Sequence, residues 1–169
     1  MNRILVAALG ALATAGSPPT DAASPAAADQ TFRAKLTRGV CLGSCPSYEV
    51  EIDSEGLVTF TGSRSAVEPS VPCLGRRRWR VSPAAVARLA DVVDRSGFFG
   101  FKDAYQGAVA DMPSFSVTIT RHGRTKSVRD YVGLAVGMPR AMVDIENAID
   151  AAANDRTCVF APDASSGRH

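Results

Sequence analysis

Apolar and polar residues alternate along several short stretches of the chain, which is the pattern of strands with one buried face. Two of these stretches are joined by the turn 53–56, which ends in a glycine, and they predict a β-hairpin. Two later stretches meet at His122 and Gly123 and predict a second hairpin. The predicted strands are 32–36, 48–52, 58–61, 78–81, 115–120 and 126–131.

Two other stretches repeat apolar residues at helical spacing. The first begins with a serine cap and a proline at the first helical position, Ser82 and Pro83, and ends at Gly97. The second begins at Pro139, and Asp144 and Glu146 in its early turns suit the helix dipole. The apolar faces are Val86, Leu89 and Val93 in the first helix, and Met142, Ile145, Ile149 and Ala152 in the second.

The order of these elements predicts an α+β fold. Helices separated by hairpins, without βαβ alternation, favour a single antiparallel sheet built from two β-hairpins plus flanking strands, with two helices packed on one face. Segments 63–75, 102–113 and 133–137 are predicted loops. An aromatic cluster follows the first helix and is expected to enter the core. The cluster and two strand aromatics are expected to lie in the core, or alternatively to line a groove for an apolar ligand. The set is Phe98, Phe99, Phe101, Phe115 and Tyr131.

The N-terminus has the pattern of a secretory signal peptide. Arg3 precedes an apolar run of roughly nine residues, and the small residues Ala13 and Ala15 follow, so residues 1–15 are predicted to be a signal peptide. Cleavage is expected after Ala15, Ala23 or Ala28. The run is too short to cross a bilayer, which takes about 20 apolar residues. We therefore expect an exported protein, periplasmic or secreted, with no transmembrane span in the mature chain.

Composition divides the rest of the chain into three parts. Residues 16–30 are rich in alanine and proline and predict a flexible tether, residues 31–160 form a single α+β domain, and 161–169 predict a disordered tail.

The net charge gives no general reason to expect nucleic-acid binding. It is +2 for the full chain, and loss of Arg3 lowers it by one. One stretch is nevertheless strongly basic and is a candidate anion-binding patch. Alternatively, it is a solvated strand face with Trp79 inward, or its arginines pair across strands with Glu49 and Glu51. The patch consists of Arg76, Arg77, Arg78 and Arg80.

The four cysteines are expected to form disulfides in an oxidising compartment. Cys41 and Cys45 are four residues apart, and one helical turn would bring their α-carbons to about 6 Å, within bonding reach. Cys73 and Cys158 would then pair. Four cysteines allow three pairings, so the sequence leaves the connectivity open.

A redox or copper-binding site at Cys41 and Cys45 is the alternative. Thioredoxin-like copper chaperones carry the same Cys-x₃-Cys-Pro spacing together with a distant histidine, and copper favours sulfur ligands. The chain has only His122 and His169, lacks the βαβ pattern and lacks Cys-x₂-Cys zinc spacing. We therefore expect no cofactor and no metal.

A longer motif carries a resemblance to a known family. The run 41–48, Cys-Leu-Gly-Ser-Cys-Pro-Ser-Tyr, resembles the opening of domain of unknown function 6438, a family of small exported bacterial proteins. Supporting landmarks are Ile52, Glu55 and Gly56, 60–62, 97–99, Tyr105, 111–113 and 126–131. The resemblance covers most of residues 36–152. It implies an α+β fold and an envelope location, and it implies no activity.

No catalytic constellation is apparent. The spacing of the aspartates does not bring two carboxyl groups together, as a two-carboxylate hydrolase requires. Asp111 is interpreted as a turn or cap residue and Asp130 as a strand-end charge, and Ser44 and Ser47 lack the context of a nucleophile. The remaining aspartates considered are Asp91, Asp94 and Asp103. We expect a non-catalytic binding or structural module whose partner is an envelope protein, a polymer or a small ligand.

Overall fold

The computed structural model describes residues 31–42, 45–63 and 71–160. The predicted signal peptide, tether and C-terminal tail lie outside the described residues. Part of the segment between Cys41 and Cys45, and part of the predicted loop 63–75, also lie outside them.

The strands and helices follow the hydrophobic pattern closely. The strands are β1 (Arg33–Arg38), β2 (Tyr48–Asp53), β3 (Leu57–Gly62), β4 (Gly75–Arg80), β5 (Ala104–Gln106), β6 (Phe115–Arg121) and β7 (Arg124–Tyr131). The helices are α1 (Pro83–Ser96), α2 (Arg140–Ala153) and α3 (Arg156–Val159), with short 3₁₀ turns at Phe98–Gly100 and Gly133–Val136.

The seven strands form one sheet in the order β4-β3-β2-β1-β6-β7-β5. All neighbours are antiparallel except β5, which pairs in parallel with β7 at the sheet edge. The α+β fold with a mostly antiparallel sheet is therefore confirmed. Strand β5 lies in a predicted loop, and its three residues are too few to show a strand period.

Alternation gives the sheet two different faces. One residue row crosses five strands on the face that packs against the helices, and all five side chains are fully buried: Phe60, Val50, Leu36, Val117 and Val128. We call this the helix face. The opposite face, the open face, carries threonines, serines and charged residues, as a one-sided antiparallel sheet does.

Helix α1 has the predicted ends. Ser82 Oγ accepts a hydrogen bond from the Ala85 amide, and Pro83 occupies the first helical position. Gly97 adopts a φ of 70° just after the helix, which glycine does without strain. Phe98 then enters the core at 1 % exposure, and its ring meets Phe99 and Phe101 edge-on.

Helix α2 packs against β1 and β2 and reaches β4. We call the end of the sheet where β1 and β7 finish, and β2 and β6 begin, the loop end. Asp150 of α2 bonds to Arg38 at the end of β1, and Trp79 Nε1 of β4 donates to the Ala153 carbonyl at 2.7 Å. The helix therefore fastens the middle of the sheet to its β4 edge.

Candidate functional site

All four cysteines are bridged in the structure. Cys41 is joined to Cys45 with a Cα–Cα distance of 5.7 Å, and Cys73 is joined to Cys158 at 4.6 Å. The first bridge closes the segment that leads from β1 to β2. The second links the segment before β4 to α3 across 85 residues of sequence.

A group of charged side chains lies between the sheet and α2 at the loop end. Arg38 binds Asp150 through two nitrogens, Nη2 at 2.6 Å and Nε at 3.2 Å, both to Oδ2. The Tyr48 hydroxyl donates to the other oxygen, Oδ1, at 3.0 Å. The Arg38 guanidinium also lies 4.8 Å from the centre of the Phe115 ring. Both oxygens of Asp150 are therefore occupied by donors from β1 and β2.

Glu146 lies one helical turn before Asp150 and is 3 % exposed. Burial, and then the neighbouring Asp130, raise the pKa of Glu146 to about 7. Its Oε1 atom is buried without a hydrogen-bond partner among the described residues. Asp130 Oδ1 accepts a hydrogen bond from the Gly133 amide at 2.7 Å. A Cβ at Gly133 would lie 2.6 Å from that oxygen, so a larger residue there would have to displace the Asp130 carboxyl group.

Asp155 occupies the short segment between α2 and α3 and is 3 % exposed. Burial, and then the charge of Asp150, raise the pKa of Asp155 to about 7. Its Oδ2 atom also has no hydrogen-bond partner among the described residues. The site therefore holds two buried carboxyl groups that keep their protons up to near-neutral pH.

Two cavities open beside this cluster. The larger, of about 500 Å³, has Tyr48, Asp150 and Asp155 in its wall, and we call it the Asp155 cavity. The other, of about 430 Å³, has Asp130 and Glu146 in its wall, and we call it the Glu146 cavity. The residues common to both walls are Arg38, Pro113, Phe115 and Asn147.

The rest of the Asp155 cavity wall is mainly apolar. It is formed by Pro46 beside the Cys41–Cys45 bridge and by Val159 and Phe160 at the end of α3. Arg156, which is exposed, also borders the cavity. A cleft with apolar walls and a few polar groups at its floor is the usual form of a small-molecule site.

The large apolar side chains that remain exposed in the described residues all lie at the loop end of the sheet. They come from the β1–β2 connection, the β5–β6 connection, the 3₁₀ turn after β7 and the residue after α3. They are Val40, Leu42, Val109, Met112, Leu134, Val136 and Phe160. We call this set the apolar rim.

Hydrogen bonds hold the segments of the apolar rim next to one another. The Leu42 amide donates to the Asp111 carbonyl at 3.2 Å, which joins the first two connections. The Tyr131 hydroxyl accepts from the Met112 amide at 3.4 Å and donates to the Val109 carbonyl at 2.8 Å. Exposed apolar groups gathered in one region mark an interaction site more often than scattered ones do.

The predicted basic patch is divided between the two faces of the sheet. Arg77 lies opposite Phe60 and Trp79 opposite Val58, so both are on the helix side of β4. The other three arginines lie on the open face, opposite Thr61, Thr59 and Leu57; they are Arg76, Arg78 and Arg80. The four arginines therefore do not form one surface.

The predicted pairing of these arginines with Glu49 and Glu51 is wrong. Strand β3 lies between β4 and β2, so the glutamates face β1 instead. Glu51 pairs with Arg33 at 2.5 Å and Glu49 with Lys35 at 2.7 Å.

The histidine of the described residues is far from the cysteines along the sheet. His122 forms the β6–β7 turn with a φ of 50°, and its Nε2 lies 3.8 Å from Asp94. That turn is at the opposite end of the strands from the Cys41–Cys45 bridge, roughly 20 Å away at strand rise. His169 lies outside the described residues. Within the described ranges, no group of three or more His, Cys, Asp or Glu side chains is placed to hold a metal ion.

Asp130 lies at the end of β7, as interpreted, but its side chain is buried at 7 % exposure, which the sequence did not indicate. Glu146 was expected to interact with the helix dipole, but its side chain is buried in the core. The sequence did indicate the burial of Glu146. It lies four residues after Met142 and three before Ile149, within the apolar stripe of α2. Asp111 has a φ of 63° in the segment before Pro113, as a turn residue can.

Comparison with known proteins places the chain in a family. No curated protein matches the sequence. The domain of unknown function DUF6438 matches residues 33–153, which run from β1 to the end of α2. The matched region includes Arg38, Tyr48, Glu146 and Asp150, while Asp155 follows just after it. The chain belongs to the DUF6438 family.

Proposed function

We propose that this protein is an exported, non-catalytic binding module that takes a small amphipathic ligand in the Asp155 cavity. The observation that carries the proposal is the form of that cavity. It joins apolar walls to a floor of charged groups, and Phe160 of the apolar rim lies in its wall.

The fixed floor of the cavity supports binding. Arg38, Tyr48 and Asp150 hold one another through three hydrogen bonds, so the floor exists before any ligand arrives. A ligand that meets a preformed site loses less free energy to ordering. The volume of about 500 Å³ suits a small molecule.

The same contacts support a non-catalytic role. Asp150 is ion-paired with Arg38 and accepts a hydrogen bond from Tyr48, so its carboxylate already serves to hold the floor together. Burial, and then Asp150, raise the pKa of the Tyr48 phenol above its ordinary value, which keeps Tyr48 a hydrogen-bond donor.

Export is supported by the leader-like N-terminus together with the two bridges. No helix of the described residues has both the length and the apolar character needed to cross a membrane. The test is the intact mass of the protein recovered from the periplasm or medium, with and without alkylation of thiols under denaturing conditions. We expect a chain shortened after Ala15, Ala23 or Ala28 with no alkylated cysteine. A full-length cytosolic chain with four alkylated cysteines would contradict export.

The bridges also predict how much stability is lost when each disulfide is removed. The Cys73–Cys158 bridge closes the longer segment, so its loss should lower the free energy of unfolding by about 4 kcal/mol on the chain-entropy account. The double variant Cys73→Ala/Cys158→Ala, compared with Cys41→Ala/Cys45→Ala in urea unfolding, measures this. An equal loss in both variants would show that segment length does not decide the effect.

The binding proposal is tested with three aliphatic probes of one chain length: octanoate, 1-octanol and octylamine. At least one should bind the mature protein in calorimetric titration. Phe160→Ala should weaken that binding, because Phe160 borders the cavity and is 58 % exposed, so its removal leaves the core intact. The matched control is Leu57→Ala on the open face. Binding by none of the probes, or equal weakening by both variants, would refute the proposed site.

A further inference from the structure

We propose that the ligand of the Asp155 cavity is an anionic amphiphile: a molecule with one negatively charged headgroup and an aliphatic body. This rests on the proposed function and adds the charge of the ligand. The headgroup lies against Arg38, Asn147 and Arg156, and the aliphatic body lies against the apolar wall.

The polar groups of the cavity have hydrogen-bond donors to spare. Nε and Nη2 of Arg38 donate hydrogen bonds to Asp150, while Nη1 donates to no atom of the described residues. The side chains of Asn147 and Arg156 make no hydrogen bond with the described residues, and no described carboxylate lies within ion-pair distance of Arg156. A guanidinium with free N–H groups is well suited to a carboxylate or a phosphate.

The acceptors of the cavity, by contrast, are already used or protonated. Both oxygens of Asp150 already accept hydrogen bonds, Oδ1 from Tyr48 and Oδ2 from Arg38. Asp155 is the remaining carboxyl group, and it faces Asp150 of α2 and Arg38 of β1. With its proton in place it is neutral and can donate a hydrogen bond. The charged groups of the wall then sum to +1, from two arginines and one aspartate, which favours a ligand carrying one negative charge.

The walls determine the rest of the ligand. Pro46, Pro113, Phe115, Val159 and Phe160 present aliphatic and aromatic surface around the floor. An aliphatic body buried there contributes roughly 0.8 kcal/mol for each CH₂ group removed from water. The Arg38 guanidinium is already stacked on Phe115, so the headgroup and the start of the aliphatic body meet adjacent surfaces.

The same three probes test the charge. At pH 6 octanoate should bind at least roughly tenfold more tightly than 1-octanol, the ratio that one charge-assisted hydrogen bond provides. Octylamine should bind most weakly. Arg156→Gln should weaken octanoate binding severalfold and leave 1-octanol binding unchanged. The control Arg140→Gln, an exposed arginine at the start of α2, should change neither.

The pH dependence gives an independent readout. Octanoate is ionised at both pH 6 and pH 8, whereas Asp155 loses its proton across this range. Octanoate binding should therefore weaken at pH 8, and Asp155→Asn should reduce the pH dependence to the part contributed by Glu146 beside Arg38. Equal or tighter binding of octylamine, or an Arg156→Gln variant with wild-type octanoate affinity, would overturn this inference while the binding proposal stands. If none of the three probes binds, the proposed function itself fails.

Discussion

The two faces of the sheet use the same kind of ion pair with different consequences. On the open face Arg33 meets Glu51 at 2.5 Å, and the two side chains are 57 % and 29 % exposed. On the helix face of the same strand Arg38 meets Asp150 at 2.6 Å, with side chains 17 % and 23 % exposed. The distances are alike, so the surroundings decide what each pair does.

Water surrounds the first pair and screens it, and such pairs contribute little to stability. Arg38 instead lies among Asp150, Glu146 and Asp155, with Tyr48 on the same aspartate. One guanidinium there faces more carboxyl groups than it can neutralise, and two of them keep their protons instead. The helix face thus combines fixed charge, proton-holding groups and cavity space, whereas the Arg33–Glu51 pair on the open face is exposed to water.

Removal of Arg38 should produce the largest difference between the faces. Arg38→Met leaves Asp150 without its charge partner in a partly buried site, and we expect unfolding to become easier by about 3 kcal/mol. Urea unfolding at pH 7 measures this. The matched control is Arg33→Met in the same strand, which should cost less than about 1 kcal/mol. Similar losses in both variants would remove the distinction between the faces.

The pH dependence of stability should come from the helix face. The pKa of folded Glu146 is about 7, above its ordinary value of 4.5, so the folded state binds more protons than the unfolded state between these pH values. Stability from this group is therefore full below pH 4.5 and is lost as the pH rises to about 7. Glu146→Gln stays neutral at every pH. It should match the wild type at pH 4.5 and exceed it at pH 8 by on the order of 3 kcal/mol.

The control for that experiment is Asp144→Asn, an exposed carboxylate two residues earlier in α2. Melting temperature recorded from pH 4.5 to 8 compares the three proteins. The Asp144→Asn curve should follow the wild type, whereas the Glu146→Gln curve should be flatter. A Glu146→Gln curve parallel to the wild type would show that Glu146 does not titrate in this range.

The smallest effect is expected on the open face. Glu49→Gln removes the partner of Lys35 at 2.7 Å, but both side chains are more than a third exposed. The free energy of unfolding should fall by less than about 1 kcal/mol at low salt, and the difference should disappear near 1 M salt. A loss of several kcal/mol that persists in high salt would mean that this pair is not solvent-screened.

Much of the fold followed from local pattern. The turn 53–56 and the Ser82–Pro83 cap act within a few residues, so the sequence contains all the information they need. Strand β5 could not be predicted from its own three residues, because its pairing with β7 determines it. The pairing of Arg33 and Lys35 with Glu51 and Glu49 also required the strand order, which spacing does not give.

The candidate site was hidden for a related reason. Arg38, Tyr48 and Asp150 come from three elements, and Asp150 is 112 residues from Arg38. Each alone has the appearance of a surface or strand-end residue. Only Glu146, inside the apolar stripe of α2, broke its local pattern, and buried polar residues that do so often belong to functional sites.

The most direct test of the functional face is a residue-resolved NMR titration of the mature protein with octanoate. The helix-face account predicts that amide shifts concentrate at Tyr48, Phe115 and the segment from Asp150 to Phe160. Amides of the open-face row Lys35, Glu51 and Thr118 should remain in place. Shifts confined to the open-face row, or absent everywhere at saturating octanoate, would contradict the assignment of the ligand site to the Asp155 cavity.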